Sequence, residues 1–84
     1  MEIDFSKLKI GDRLVRNKGG ILTKHHVLYV GKWNGEHLIA ENQIGFGVRY
    51  ITLDQFMSEG KLDRVEYYNF NDLQQTEILN RINN

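Results

Sequence analysis

The chain has 84 residues, enough for one domain that buries roughly 60–65% of its unfolded surface in a modest core. It is 40% hydrophobic and 26% charged, a globular balance that excludes a disordered chain, and eleven basic residues offset eleven acidic ones, so no broad footprint for nucleic acid is expected. With no cysteine, disulfides, cysteine-ligated zinc and a thiol nucleophile within these residues are excluded.

Met1-Glu2-Ile3-Asp4-Phe5 is acidic and has none of the apolar run of a signal peptide, and no apolar stretch approaches the ~20 residues of a membrane span. The expectation is a cytoplasmic protein forming one domain over 1–84. Phe5 to Asp12 reads as a lead-in closed by a Gly11-Asp12 turn. A short strand follows over Arg13–Arg16, and Lys18-Gly19-Gly20 breaks it. Within the strongest element, Ile21 to Asn42, His26–Val30 is β-branched and aromatic and reads as a strand. Asn34-Gly35 is a hairpin signal, because both residues tolerate positive φ. His37–Ala40 returns as a strand, and Gly47–Ile51 forms another after the Gly45-Phe46-Gly47 break.

Thr52 is placed to cap a short helix over Leu53–Met57, with Asp54 near its positive end and Gly60 after its close. Leu62–Tyr68 alternates as a strand. Asn71 or Asp72 caps a last helix to about Ile82, whose thin stripe of Ile78, Leu79 and Ile82 leaves Leu73 to one side. The fold class is α+β: an antiparallel sheet of four to five strands with two helices. Tyr29, Tyr50, Phe56, Tyr67 and Tyr68 are expected as core aromatics.

The ordered motifs are Gly11-Asp12 at a strand start, His25-His26-Val27-Leu28-Tyr29-Val30-Gly31, His37 twelve residues after His25, Thr52-Leu53-Asp54-Gln55-Phe56, Val65–Tyr68, and the helix after Asp72. In this order they resemble the lecithin:retinol acyltransferase-like domains, circularly permuted relatives of the NlpC-type papain-like enzymes, over nearly the whole chain. The resemblance implies that His25 is a general base and His37 the residue that orients it. It also implies an acyl-thioester chemistry whose cysteine, in an Asn-Cys segment, comes after the last helix; residues 1–84 hold no such cysteine. None of Ser6, Ser58 or the threonines stands where the family places its nucleophile. A strict two-residue turn at Asn34-Gly35 would put His37 opposite Lys32, on the face of His26 rather than His25. The family spacing therefore favours a wider loop over Gly31–Gly35, with a bulge as the other solution.

Against the catalytic reading stands that of two unrelated strand histidines. His26 reads as a surface or packing residue. A metal site from His25, His26 and His37, with Glu41 joining, lacks recognisable ligand spacing, so no metal or cofactor is expected. Trp33 is either a partner anchor or a ring folded over its hairpin. Trp33, Tyr29 and Glu41 are the candidate binding residues. Lys7, Lys9, Arg13, Arg16, Lys18 and Lys24 read as a solvated basic face.

Three functions follow. The favoured one is a catalytically silent, pseudoenzyme-like member of the family that binds a protein or an acyl-containing ligand, as an inhibitor or regulator would. The alternative is part of a cysteine-dependent acyltransferase or acyl hydrolase whose nucleophile segment is missing or supplied in trans. A small β-barrel-like adaptor outside the family is the third.

Overall fold

The computed structural model describes residues 4–17, 23–43, 45 and 47–83. Five strands form one antiparallel sheet: β1 Arg13–Asn17, β2 Lys24–Trp33, β3 Glu36–Gln43, β4 Gly47–Thr52 and β5 Leu62–Glu66. Their order is β4-β3-β2-β1-β5, so the four consecutive strands β1 to β4 form a meander and β5 returns to the far edge beside β1. Helix α1, Leu53–Ser58, joins β4 to β5, and α2, Asp72–Asn83, ends the chain. The α+β class and the positions of its elements thus follow the sequence pattern. The breaks at 18–20, together with Ile21, Ile44 and Phe46, lie outside the described residues.

One face of the sheet carries the core. Leu14, Val27, Tyr29 and Ile39 cluster there with Leu8, and α1 lays Leu53 and Phe56 onto them. Phe56 is fully buried, a burial that contributes on the order of 2–3 kcal/mol. Thr52 starts α1 as expected: its Oγ1 accepts from Gln55 N at 3.1 Å, satisfying one of the otherwise orphaned amides of the first turn. The helix stops at Ser58, and Glu59 is its C-cap.

Helix α2 lies over the opposite face. Leu79 and Asn83 line a cleft with Val30, Leu38 and Tyr50, and Ile82 lines a second with Leu28, Ala40 and Val48. No α2 residue is buried among those described. Leu73 is exposed, as its offset from the stripe indicated.

Of the five aromatics expected in the core, only Tyr29 and Phe56 are buried; Tyr50, Tyr67 and Tyr68 are exposed. The reason is positional. Tyr50 lies on edge strand β4 under the loosely seated α2, and Tyr67 and Tyr68 lie beyond the end of β5, which stops at Glu66.

Gly11-Asp12 does more than turn the chain. Asp12 is buried, and its carboxylate accepts from Lys9 N at 2.9 Å and from Tyr68 N at 3.0 Å. Its main chain pairs with Tyr29, whose N donates to Asp12 O at 2.8 Å. One side chain therefore ties the lead-in to the segment after β5, and the buried charge is met by backbone donors. Gly11 has φ +99°, and a Cβ there would stand 2.5 Å from Phe70.

Candidate functional site: a histidine–carboxylate pair on the sheet

The β2–β3 hairpin decides which residues meet. Asn34 and Gly35 form a tight turn with φ of 51° and 82°, and Trp33 pairs with Glu36, Lys32 with His37, and Gly31 with Leu38. The register then shifts, so that Tyr29 pairs with Ile39 and Leu28 with Ala40. Val30 is the extra residue of a β-bulge, and Gly31 takes the positive φ, 101°. The wider loop expected over Gly31–Gly35 is therefore corrected: the turn has two residues and the bulge carries the slip. Because one extra residue reverses the alternation of side chains, His37 moves to the face of Tyr29, Val27 and His25.

The two histidines share that face but take different partners. His25 Nε2 lies 3.0 Å from Glu41 Oε2. His37 Nδ1 lies 2.6 Å from the hydroxyl of Tyr29, and its ring sits 6.0 Å from that of Phe5. The orienting contact to His25 comes from Glu41, where His37 was expected. The cause is distance along the hairpin: with a two-residue turn, His37 sits near the tip, paired with Lys32, and Glu41 lies farther along β3, one residue past the Leu28–Ala40 pair and so nearer His25.

Glu41 is only 4% exposed. Its second oxygen, Oε1, accepts from Arg49 Nε at 2.5 Å, and Arg49 is its cross-strand partner on β4. Burial pushes the Glu41 carboxyl up, but the hydrogen bonds from His25 and Arg49 and the Arg49 charge outweigh it and hold the group below the usual carboxylate range. A neutral His25 meets an ionised Glu41 by donating from Nε2, which leaves Nδ1 as the basic nitrogen. No hydrogen bond reaches Nδ1 among the described residues. The imidazole rests 6.3 Å from the Phe56 ring, which braces it from α1.

Arg16, paired with His25 across β1–β2, completes the surroundings. It is buried, its Nη1 donates to Glu59 O at 2.8 Å, and its guanidinium lies 5.0 Å from the Phe56 ring centre. Its Nε finds no acceptor among the described residues.

No family model, curated protein or solved structure matches this chain.

The other sequence candidates are placed as follows. Tyr29 is buried, and desolvation raises the pKa of its hydroxyl. Trp33 is half exposed, yet its Nε1 donates to Val30 O at 3.0 Å, so the ring is tied back over its hairpin while one surface faces solvent. His26 is exposed. Ser6 and Ser58 donate their hydroxyls locally, to Asp4 and to Gln55 O. Of the basic residues near the start of the chain, Arg16 is buried, Lys24 pairs with Asp63 at 3.4 Å, Arg13 approaches Glu66 and Lys9 bonds Asn69, and Lys18 lies outside the described residues. Among the described residues no group of three or more His, Asp or Glu is placed to hold a metal ion, and no helix is long and apolar enough to cross a membrane.

From the sequence, Glu41 stood as a binding candidate and as a fourth member of a histidine metal set, and Arg49 was not singled out. The available signal was the alternation Arg49–Glu41 across β3–β4, which is readable once the β3–β4 register is known.

Proposed function

We propose that this chain provides the base half of a thiol-dependent acyl-transfer or acyl-hydrolase site, as its resemblance to the lecithin:retinol acyltransferase-like domains implies, with the cysteine contributed by a segment outside residues 1–84. The observation that carries the reading is the buried Glu41 carboxylate at 3.0 Å from His25 Nε2. A carboxylate on Nε2 fixes the imidazole tautomer and leaves Nδ1 to take a thiol proton. In the reaction Nδ1 accepts the proton of the thiol, and the thiolate attacks the acyl carbonyl. The imidazolium then returns the proton to the departing alcohol or amine, leaving an acyl-thioester. Water or a second acceptor releases the acyl group by the same exchange. Glu41 stays ionised throughout and stabilises the imidazolium.

The test is to express the chain together with whatever follows Asn84 in its reading frame and to incubate it with an activated acyl ester. Intact mass is expected to show one acyl group on a cysteine, lost in His25→Ala and slowed by about two orders of magnitude or more in Glu41→Ala. A frame that supplies no cysteine, or a cysteine-bearing protein that His25→Ala leaves equally active, would remove this reading.

A second reading, a silent binding domain, draws on a different place. The half-exposed Trp33 borders the apolar cleft of about 290 Å³ between the sheet and α2. It gains if the frame ends without cysteine and Trp33→Ala abolishes capture of an acyl-chain probe by the isolated chain.

A further inference from the structure

Four side chains stand in a row across the sheet: Arg16 on β1, His25 on β2, Glu41 on β3 and Arg49 on β4. Arg16 and His25 are register partners, as are Glu41 and Arg49, and the hydrogen bond from His25 to Glu41 joins the two pairs. Glu59, at the end of α1, closes the row into a ring. Its Oε1 lies 4.0 Å from Arg49 Nη2 and 3.9 Å from Arg16 Nη2. With His25 neutral, the ring holds two arginines and two carboxylates and is balanced.

We propose that Arg49 is a positioning residue for the histidine–carboxylate pair: by claiming Oε1 of Glu41 it holds the carboxylate with Oε2 turned towards His25 Nε2, and it would dictate which end of an amide that nitrogen meets if residue 41 were glutamine. The proposal deepens the function above, yet it concerns the resting chain and needs no thiol. The argument is one of donors and acceptors. A guanidinium can only donate. Whatever occupies position 41 must therefore turn an acceptor towards Arg49, and only its other end remains for His25. In the native chain both ends are carboxylate oxygens, so His25 donates from Nε2. Arg49 is 43% exposed; its hydrogen bond to Glu41 is its close contact, and Glu59 Oε1, 4.0 Å from its Nη2, adds a weak ion pair.

The experiment reads imidazole nitrogen shifts by long-range proton–nitrogen NMR on the folded chain, with His26→Gln and His37→Gln variants assigning the signals. In the native chain at a pH where His25 is neutral, the Nε2–H tautomer is expected. In Glu41→Gln, Arg49 takes the amide oxygen and the amide NH₂ is left facing Nε2. The ring must then accept there, and its proton moves to Nδ1, with a bias on the order of tenfold. Adding Arg49→Met to Glu41→Gln frees the amide to present either end, and the tautomer bias collapses to a mixture. A ring that stays Nε2–H in Glu41→Gln, or a bias that survives in the double variant, overturns the proposal. If Glu41→Gln does not fold, Arg49→Met alone serves: the His25 Nε2–H proton is expected to exchange with water about tenfold faster once Oε2 is no longer held towards it, and an unchanged exchange rate overturns the proposal. A merely structural Arg49 would lower the melting temperature without changing the tautomer or the exchange of the Nε2–H proton. Because no activity is read, this result and the acylation result fail independently of one another.

Discussion

The two faces of the sheet are covered by helices of very different grip. Helix α1 has only six residues but buries Leu53 and Phe56, whereas the twelve residues of α2 bury none. Length is not what anchors a helix. Helix α1 is gripped by a capped start at Thr52, and its two large side chains enter a sheet face that already presents Leu14, Val27, Tyr29 and Ile39. Helix α2 offers three spaced apolar residues to a face interrupted by clefts. The candidate site lies on the well-held face, where a histidine and a carboxylate can be kept in a fixed relation.

The largest effect that would test this contrast is Phe56→Ala. It empties a fully buried position under His25 and Arg16 and should cost about 3–5 kcal/mol in denaturant unfolding, with little change in m-value. A loss near 1 kcal/mol would mean that the α1 face is no better packed than the other. Asp12→Ala comes next, at about 2–3 kcal/mol, because it strands the amides of Lys9 and Tyr68 near a buried position; Asp12→Asn should recover part of that loss.

Glu41→Ala is expected to cost about 2 kcal/mol at neutral pH, the scale of a broken charged hydrogen-bond pair whose arginine can still reach solvent. Its pH signature is specific. The folded-state pKa of Glu41 lies below the unfolded value, so its contribution is fully present above the unfolded pKa and is lost as pH falls through the folded one. The part of the stability that the Glu41 carboxylate itself contributes should therefore be lost on acidification below about pH 4.5. A stability difference between native and Glu41→Ala chains that grows on acidification below that pH would contradict a depressed Glu41. Leu79→Ala on the α2 face should cost only about 1 kcal/mol, and Leu73→Glu, at an exposed position, less than about 0.5 kcal/mol. If Leu79→Ala matched Phe56→Ala, the two helices would be equally anchored and the comparison would fail.

Much of the fold was legible because it rests on local rules. Thr52 caps, Asn34-Gly35 turns, and the β-branched and aromatic runs of β2 and β4 read as strands without any knowledge of their partners. The exposed tyrosines were misjudged because an aromatic in a strand-like run says nothing about whether a second layer will cover it. The site was legible only in part. His25 was singled out by its motif with His37 expected beside it by spacing, and the hairpin geometry places Glu41 beside it instead.

The sequence by itself determined the elements, their order, the α+β class and the absence of a thiol within these residues, since each depends on residue type and near neighbours. Tertiary structure alone decided that Val30 bulges, that His37 turns to Tyr29, and that Arg16, His25, Glu41 and Arg49 line up across four strands. The physical reason is strand register. A single extra residue reverses every later side chain, and register is settled by the whole sheet packing its apolar face at once, which no local run of residues can specify.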